Sequence, residues 1–300
     1  MKGMILAAGF GMRLEPLTSY LPKPLVPVGN RAVIDRSIDY LKAHGIDEIV
    51  VNAHRHAEKL KAHLDGGDPF KLKVQVRVEP EILGTGGGIR NTLDFWDDNP
   101  FVVINGDILT DIDLTRVYET HIAQGNRVTL ILHDYAPFNQ VRVDKEMNIR
   151  EISVDPGPGK LAFTGIHIID PAVLGRIPGG VFFDILECYR SLIKDGGRIK
   201  GYLSAGHYWR DIGSFNHYLL ANQEAAGRER FLVGMGCRVS STAQLHDWAV
   251  IGDRSVLGER ADVARSVLWR GVRVHPAVRV VDSVVTSQKE IREDVINRAL

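Results

Sequence analysis

Apolar and polar positions along this chain change their rhythm twice. Met4 to Ala7 is a short apolar run of the length and composition of a buried strand, and from Gly9 to Val28 no period follows it, which predicts a strand feeding a long loop. Val33, Ile34, Ile38 and Leu41 then share one helical face, and Gly45 supplies the stop. Next come a β-branched strand at Glu48 to Asn52, a helix at Ala57 to Leu64, a Gly-Gly-Asp-Pro turn at 66–69, and an alternating strand carrying Val74, Val76 and Val78. Phe101 to Ile104 and Val128 to Leu132 read as buried strands around a helix at Leu114 to Gln124. Short helices at Pro171 to Arg176 and Phe183 to Ile193 precede a strand at Ile199 to Leu203 and a helix within 214–230. Strand alternating with helix predicts an α/β chain with a doubly wound, Rossmann-like mixed sheet whose ligands sit at the carboxyl ends of the strands.

Beyond Gly227-Arg-Glu-Arg the period becomes six. Val239, Leu245, Ile251, Leu257 and Val263 keep it, Gly252 and Gly258 follow two of them, and Val272, Val278 and Val284 resume it after a slip. Hexads of this kind predict a short C-terminal parallel β-helix, taken as left-handed, so the domains divide as 1–228 and 229–300. At three hexads per coil fewer than three coils fit. A stack that short leaves its edges bare, which predicts packing on the first domain or on a second copy of the chain, hence a homo-oligomer, with Trp248 and Trp269 available for the contact.

Composition narrows the partners. The chain has 300 residues, 44% of them hydrophobic, and its 37 lysines and arginines balance 37 acids. No global field draws it to a nucleic acid polymer or an anionic membrane, so a basic site has to be local and its polyanion small. Cys188 and Cys237 are too few for a disulfide framework, and no targeting or membrane-spanning run is visible, so the expected compartment is the cytoplasm.

The local basic site is the aperiodic loop. Gly9 and Gly11 permit unusual backbone shapes and expose N–H groups to phosphate oxygens, while Arg13 and Lys23 add two positive charges. Pro22 and Pro24 are expected to hold Lys23 extended. A signal peptide is ruled out by Arg13 and Glu15, and a dinucleotide fingerprint by Leu14 where its third glycine should stand. A second cluster, Gly84-Thr-Gly-Gly-Gly88, follows a strand and is expected to lay bare backbone against a nucleobase before a helix begins near Gly88. Glu79 stands beside it, and a carboxylate can accept two parallel hydrogen bonds from the edge of guanine. Asn105-Gly106-Asp107 follows a buried strand, and Asp107 is a candidate magnesium ligand, whereas Asp111 and Asp113 fit a turn and a helix cap. Asp211, in Trp-Arg-Asp-Ile-Gly, is a second candidate, with Ser214 the better helix cap. His54 and His56 read as polar surface, and Cys188 as packing.

Those motifs together resemble the sugar-1-phosphate nucleotidyltransferases, or nucleotide-sugar pyrophosphorylases, over roughly residues 1–225, most nearly the mannose-1-phosphate guanylyltransferase-like members with a short β-helix. The resemblance implies that Leu6, Ala7, Ala8, Gly9 and Gly11 wrap a nucleoside triphosphate, that Arg13 meets its leaving phosphates, and that Lys23 meets the phosphate under attack. It implies base and ribose contacts for Gly84, Thr85 and Gly86, sugar contacts for Asn105, Gly106 and Gly165, and Mg²⁺ on Asp107 and Asp211. Two sugar motifs depart from the pattern. Asn139-Gln140-Val141 stands for Tyr-Gly-Val-Val, and Val154-Asp155-Pro156 with a Gly-Pro-Gly insertion stands for Glu-Lys-Pro, leaving Lys160 as a displaced candidate for the sugar-phosphate lysine. Glu79 favours GTP, with a mannose-like 1-phosphate as acceptor. Uridylyl transfer to an amino-sugar or hexose phosphate, and a non-catalytic nucleotide-sugar sensor, are the alternatives. A hexad acyltransferase using His246 or His275 is set aside for want of coils.

Overall fold

The computed structural model describes residues 1–65 and 72–300, so the turn expected at 66–69 lies outside the described residues. The chain forms two compact units that do not follow its linear order: Met1–Phe10 with Arg36–Trp209, and Gly11–Asp35 with Arg210–Leu300.

The first unit is built on a nine-stranded mixed sheet. Its long strands are β1 (Lys2–Leu6), β2 (Glu48–Ala53), β3 (Lys73–Val78), β4 (Phe101–Asn105), β5 (Val128–His133), β6 (Leu161–Ile169) and β7 (Ile199–Leu203). They lie in the order β3-β2-β1-β4-β6-β5-β7. β1 to β4 run parallel, β6 runs antiparallel to both neighbours, and β7 is parallel to β5. A hairpin of Asn139–Val143 and Ile149–Ile152 pairs with the first residues of β6. Met4, Ile5 and Val102 to Ile104 have no exposed surface, as strands covered on both faces require.

The helices are α1 (Val33–Ala43), α2 (Ala57–Asp65), α3 (Gly84–Arg90), α4 (Leu114–Gln124), α5 (Ile185–Lys194) and α6 (Phe215–Ala226). Their ends carry the chemistry expected of them. Asp113 accepts the Arg116 N–H at the start of α4, Gly125 closes it at φ 57°, and Asp184 accepts the Leu186 N–H at the start of α5. Cys188 is core, and the buried His167 meets the Tyr189 hydroxyl at 2.7 Å. Burial pushes His167 down to about 3, so its imidazole is neutral at physiological pH.

One expectation fails here in an informative way. The glycine cluster does not precede α3 but forms it, from Gly84 onward. A Cβ on Gly87 would come within 2.5 Å of the Val181 carbonyl oxygen, and one on Gly88 within 2.7 Å of Asn52 Nδ2 and 2.8 Å of Glu79 Oε1. Close packing demands these glycines. Gly88 makes room for a buried tie: Ala7 N–H donates to Asn52 Oδ1 at 2.7 Å, Asn52 Nδ2 to Glu79 Oε1 at 2.7 Å, and Leu83 N–H to Glu79 Oε2 at 3.0 Å. The ends of β1, β2 and β3 and the start of α3 are thereby fastened to one another.

In the second unit the long loop has structure of its own. Single helical turns at Met12–Leu14, Leu17–Tyr20 and Lys23–Leu25 bury Leu14, Leu17, Val26 and Val28. Lys23 is therefore not extended; it opens a 3-10 turn, and the extended residues are Leu21 and Pro22 before it. A two-residue hairpin joins Pro27–Val28 to Arg31–Ala32 through Gly29 at φ 57° and Asn30 at φ 63°, the conformations such turns require.

The hexads form stacked coils of parallel strands. The register runs Leu232, Val250, Val267, Val284, Ala299, which makes four coils of 18, 17, 17 and 15 residues rather than fewer than three. The sequence count ran from Val239 to Val284, so it missed the opening strand at Phe231–Val233 and the shortened last coil. Ile251, Leu268 and Val285 stack inside, as do Leu257, Val274 and Ile291. The slip in the beat falls at Arg265, a corner at φ 47°, whose guanidinium pairs with Asp247 and Asp282 on the coils to either side. Coils come close at Gly252, where a Cβ would lie 2.6 Å from the Arg270 backbone nitrogen. No helix among the described residues is long and apolar enough to cross a membrane.

Glu79→Ala should cost about 3–5 kcal/mol, because it leaves two buried donors without their charged acceptor. Urea denaturation reads this directly, and a loss below about 1 kcal/mol would show that the tie is dispensable.

Candidate functional site

In the first unit the strand ends assemble one group of candidates. Leu6 and Asn105 are register partners, and the Gly106 N–H donates to the Leu6 carbonyl at 2.8 Å. Ala7 and Ala8 are each 6% exposed, and Gly9 is open. Asp107 sits half-buried in the turn that follows Gly106. Gly165, at φ 77°, is a glycine because the side chain of Asn105 lies over it, with Nδ2 2.5 Å from where a Cβ would be. The structure thus brings Leu6, Ala7, Ala8, Asn105, Gly106, Asp107 and Gly165 to one rim of the sheet.

Gly84, Thr85 and Gly86 are joined to that rim through the Asn52–Glu79 tie, but not as bare backbone. The Gly86 and Gly87 N–H groups both donate to the Phe183 carbonyl, at 2.8 and 3.1 Å, and the Thr85 hydroxyl bridges the Asp184 carboxylate and the Ile185 N–H. Only the start of the segment, at Gly84 and Thr85, keeps its N–H groups out of this clamp. Glu79 is placed differently from its sequence assignment. It is 1% exposed and spends both oxygens on Asn52 and Leu83, so it does not present an open carboxylate to a base.

Sequence reasoning missed two further features of this unit. Asn52 carries the tie, and its signal was a single amide in an otherwise apolar strand. The Trp209 indole donates to the Thr164 carbonyl at 2.9 Å and packs among His133, Tyr135 and Phe138, with ring centroids 5.8, 5.7 and 6.4 Å away. Trp209 thereby sets an aromatic cluster beside Thr164. Nearby, Asp134, Asn139, Gly157 and Lys160 line a cleft of about 650 Å³. Lys160 is held within it by Ser153 Oγ at 2.7 Å and Glu151 Oε1 at 3.5 Å.

In the second unit Arg13 and Asp211 come together at Gly213. The Asp211 carboxylate accepts the Gly213 N–H at 2.8 Å, and a Cβ on Gly213 would meet both Asp211 Oδ1, at 2.6 Å, and an Arg13 guanidinium nitrogen, at 2.9 Å. His217 Nδ1 lies 3.5 Å from the same carboxylate oxygen, and Ser214 caps α6 as expected. Lys23 is half-buried, with Gly11 and Thr18 bracing the loop ahead of it through a Thr18 hydroxyl bond to the Gly11 carbonyl at 2.9 Å.

As for a metal, the described residues hold no group of three or more His, Cys, Asp or Glu side chains able to cage one. His54 is turned to the Glu79 carbonyl at 2.8 Å. Half-buried single carboxylates such as Asp107 and Asp211 fit an ion that takes most of its ligands from phosphate oxygens and water, which is how magnesium is usually held. Asp111 is exposed, and its carboxylate accepts the Tyr208 N–H at 2.7 Å, as the turn role expects. Each unit thus carries groups of the kind that bind phosphate: strand-end glycines and Asp107 in the first, Arg13, Lys23 and Asp211 in the second.

Comparison with known proteins agrees with that reading. The family described as Nucleotidyl transferase matches residues 2–228. N-acetylmuramate alpha-1-phosphate uridylyltransferase of Neisseria meningitidis serogroup B is 33% identical over 71% of this chain and 94% of its own length. Mannose-1-phosphate guanylyltransferase of Mycobacterium tuberculosis is 29% identical over 90% of this chain and 80% of its own. Among solved structures, a putative glucose-1-phosphate thymidylyltransferase from Bacillus anthracis superposes with a TM-score of 0.67 at 25% identity, covering 76% of this chain and 96% of that one. With its strand-end motifs, its mixed sheet and a family match across its first 228 residues all in agreement, the chain belongs to the nucleotidyl transferase family.

Proposed function

We propose that this enzyme, a nucleoside monophosphate transferase acting on a sugar 1-phosphate, uses UTP and an amino-sugar 1-phosphate. The observation that carries the choice of base is the inward-facing Glu79. The argument for guanine needed its carboxylate at the edge of the base, and without it a pyrimidine needs no charged reader. The uridylyltransferase of Neisseria supports the same choice, and the aromatic cluster beside Thr164 with the 650 Å³ cleft offers room for an acylated sugar. Guanylyl transfer to mannose 1-phosphate is the second reading, favoured by a guanylyltransferase relative whose match extends over 90% of the chain.

The chemistry is an in-line displacement. An oxygen of the sugar phosphate attacks the α-phosphorus, a new P–O bond forms as the α–β bridge breaks, and pyrophosphate leaves with the electron pair. A phosphate monoester is largely dianionic at pH 7, so no general base is needed. What the reaction lacks in water is charge neutralisation and alignment. Lys23 is assigned to the α-phosphate, where charge accumulates on the equatorial oxygens, and Arg13 to the departing pyrophosphate. Asp107 and Asp211 would hold Mg²⁺, which supplies Lewis-acid stabilisation of the phosphates. Asn105 and Gly165 orient the acceptor sugar.

Pyrophosphate release from UTP, GTP, dTTP and ATP, each with glucose, N-acetylglucosamine, N-acetylmuramic acid and mannose 1-phosphates, tests the assignment. UTP with an acylated amino sugar should give the highest kcat/KM; a GTP–mannose optimum would transfer the case to the second reading. Lys23→Ala should stay folded and lose about 10²–10³-fold in kcat, as removal of one preorganised charge donor does; near-normal turnover would remove Lys23 from the mechanism. For Asp107→Asn and Asp211→Asn, the Mg²⁺ concentration giving half-maximal rate should rise at least about tenfold, and an unchanged magnesium titration would exclude them as ligands.

A further inference from the structure

The segment bearing Lys23 has little rigidity of its own, since Lys23–Leu25 is a single 3-10 turn. What fixes it lies elsewhere in the second unit. Downstream of the turn, the Tyr218 hydroxyl donates to the Pro27 carbonyl, the Gly29 N–H donates to Asn222 Oδ1 at 2.9 Å, and Asn30 Nδ2 donates to the Ile251 carbonyl at 2.9 Å. Upstream, the Lys289 ammonium of a late coil stands 5.4 Å from the centroid of the Tyr20 ring. Tyr218 and Asn222 have no exposed surface, and the Tyr218 oxygen also accepts from the Trp269 indole N–H at 3.0 Å. Trp269 is itself 2% exposed and belongs to the third row of coil strands. A relay of hydrogen bonds thus runs from the face of the coils that meets α6, through that helix, to the residues that leave the Lys23 turn.

We propose that the C-terminal coils are the positioning scaffold of the phosphate-binding loop, with Trp269, Tyr218 and Asn222 acting through Lys23. The coils are then part of the catalytic apparatus of their own chain, whatever they do between chains. The physical reason is one of stiffness. A surface loop with a long, flexible cation loses side-chain and backbone entropy on meeting its phosphate. Coils stacked in fixed register, with Val263 over Val280 over Val295, are a stiff surface on which that order is established before substrate arrives. The assignment rests on the role given to Lys23 above.

Tyr218→Phe removes both bonds of the relay by deleting one oxygen, and Trp269→Phe removes one of them. Val117→Ala, in the core of the first unit under α4, serves as a variant destabilised without touching the relay or the coils. Each is made in the full-length chain and assayed well below its melting temperature. Tyr218→Phe should lower kcat by about ten- to a hundredfold, the usual scale for a catalytic group displaced by about 1 Å, with KM for the sugar phosphate within twofold of the parent. Trp269→Phe should do the same to a smaller degree, and Val117→Ala should not. In a Lys23→Ala background Tyr218→Phe should cost nothing further, because a positioning residue has nothing left to position. Trypsin supplies a readout independent of turnover: it cuts after the exposed Arg13 but not between Lys23 and Pro24, and release of the 1–13 peptide should quicken in both relay variants. A normal kcat in Tyr218→Phe, or an equal fractional loss with and without Lys23, overturns the proposal. Normal turnover of Lys23→Ala alone would instead overturn the catalytic reading, and the tryptic rates would still report whether the coils order the loop.

Discussion

The first unit depends on one buried carboxylate. Three parallel strands end side by side, and each end would splay or fray were it not joined to its neighbours, because the chain leaves all of them in different directions. Glu79 takes the Asn52 amide on one oxygen and the Leu83 N–H on the other, while the Asn52 carbonyl takes the Ala7 N–H. A charge in that position is tolerable only because its oxygens are met by donors at 2.7 and 3.0 Å. The rim on which Ala7, Asn105 and Gly165 stand is level because this tie is made. Gly88 follows from it, since no side chain fits between α3 and the tie.

The second unit has the complementary problem. Under the proposed function its loop must be open enough to receive a polyanion and firm enough to aim two cations at it. Leu14, Leu17, Val26 and Val28 give the loop a small core, and the hairpin at Gly29–Asn30 gives it an exit anchored on α6 and Ile251. Arg13 and Asp211, far apart in sequence, meet at Gly213. The compact units therefore cut across the linear division between a nucleotidyl transferase region and a hexad region: the loop that sequence places near the amino terminus packs with the last ninety residues of the chain.

Much of this was legible before any coordinates. Helix α4 and its Asp113 cap, strand β4 and the Asn105-Gly106-Asp107 turn, and the Ser214 cap of α6 follow from local chemistry and stand where that chemistry puts them. What failed depended on partners remote in sequence. Glu79 was aimed at a base because an acid beside a glycine cluster looks like a reader, yet its partner Asn52 comes from another strand, 27 residues earlier. The glycines at 86 to 88 were read as open pocket and are instead packing against Phe183, Val181 and Asn52. Lys23 opens a turn rather than an extended segment because Pro24 is as well suited to the first turn of a helix as to extended chain. The coil count failed because its apolar beat stops at Val284, while the shortened last coil continues through Ile291 and Val295.

The account's central claim is that nucleotidyl transfer proceeds by direct attack of the sugar phosphate on the α-phosphorus, with charge neutralisation and no covalent enzyme intermediate. Isotope exchange between labelled pyrophosphate and the nucleoside triphosphate tests it most directly. With the matching nucleotide-sugar present, label should enter the triphosphate; with triphosphate and Mg²⁺ alone, it should not. Exchange in the absence of any sugar substrate would require a nucleotidylated protein and would contradict the account.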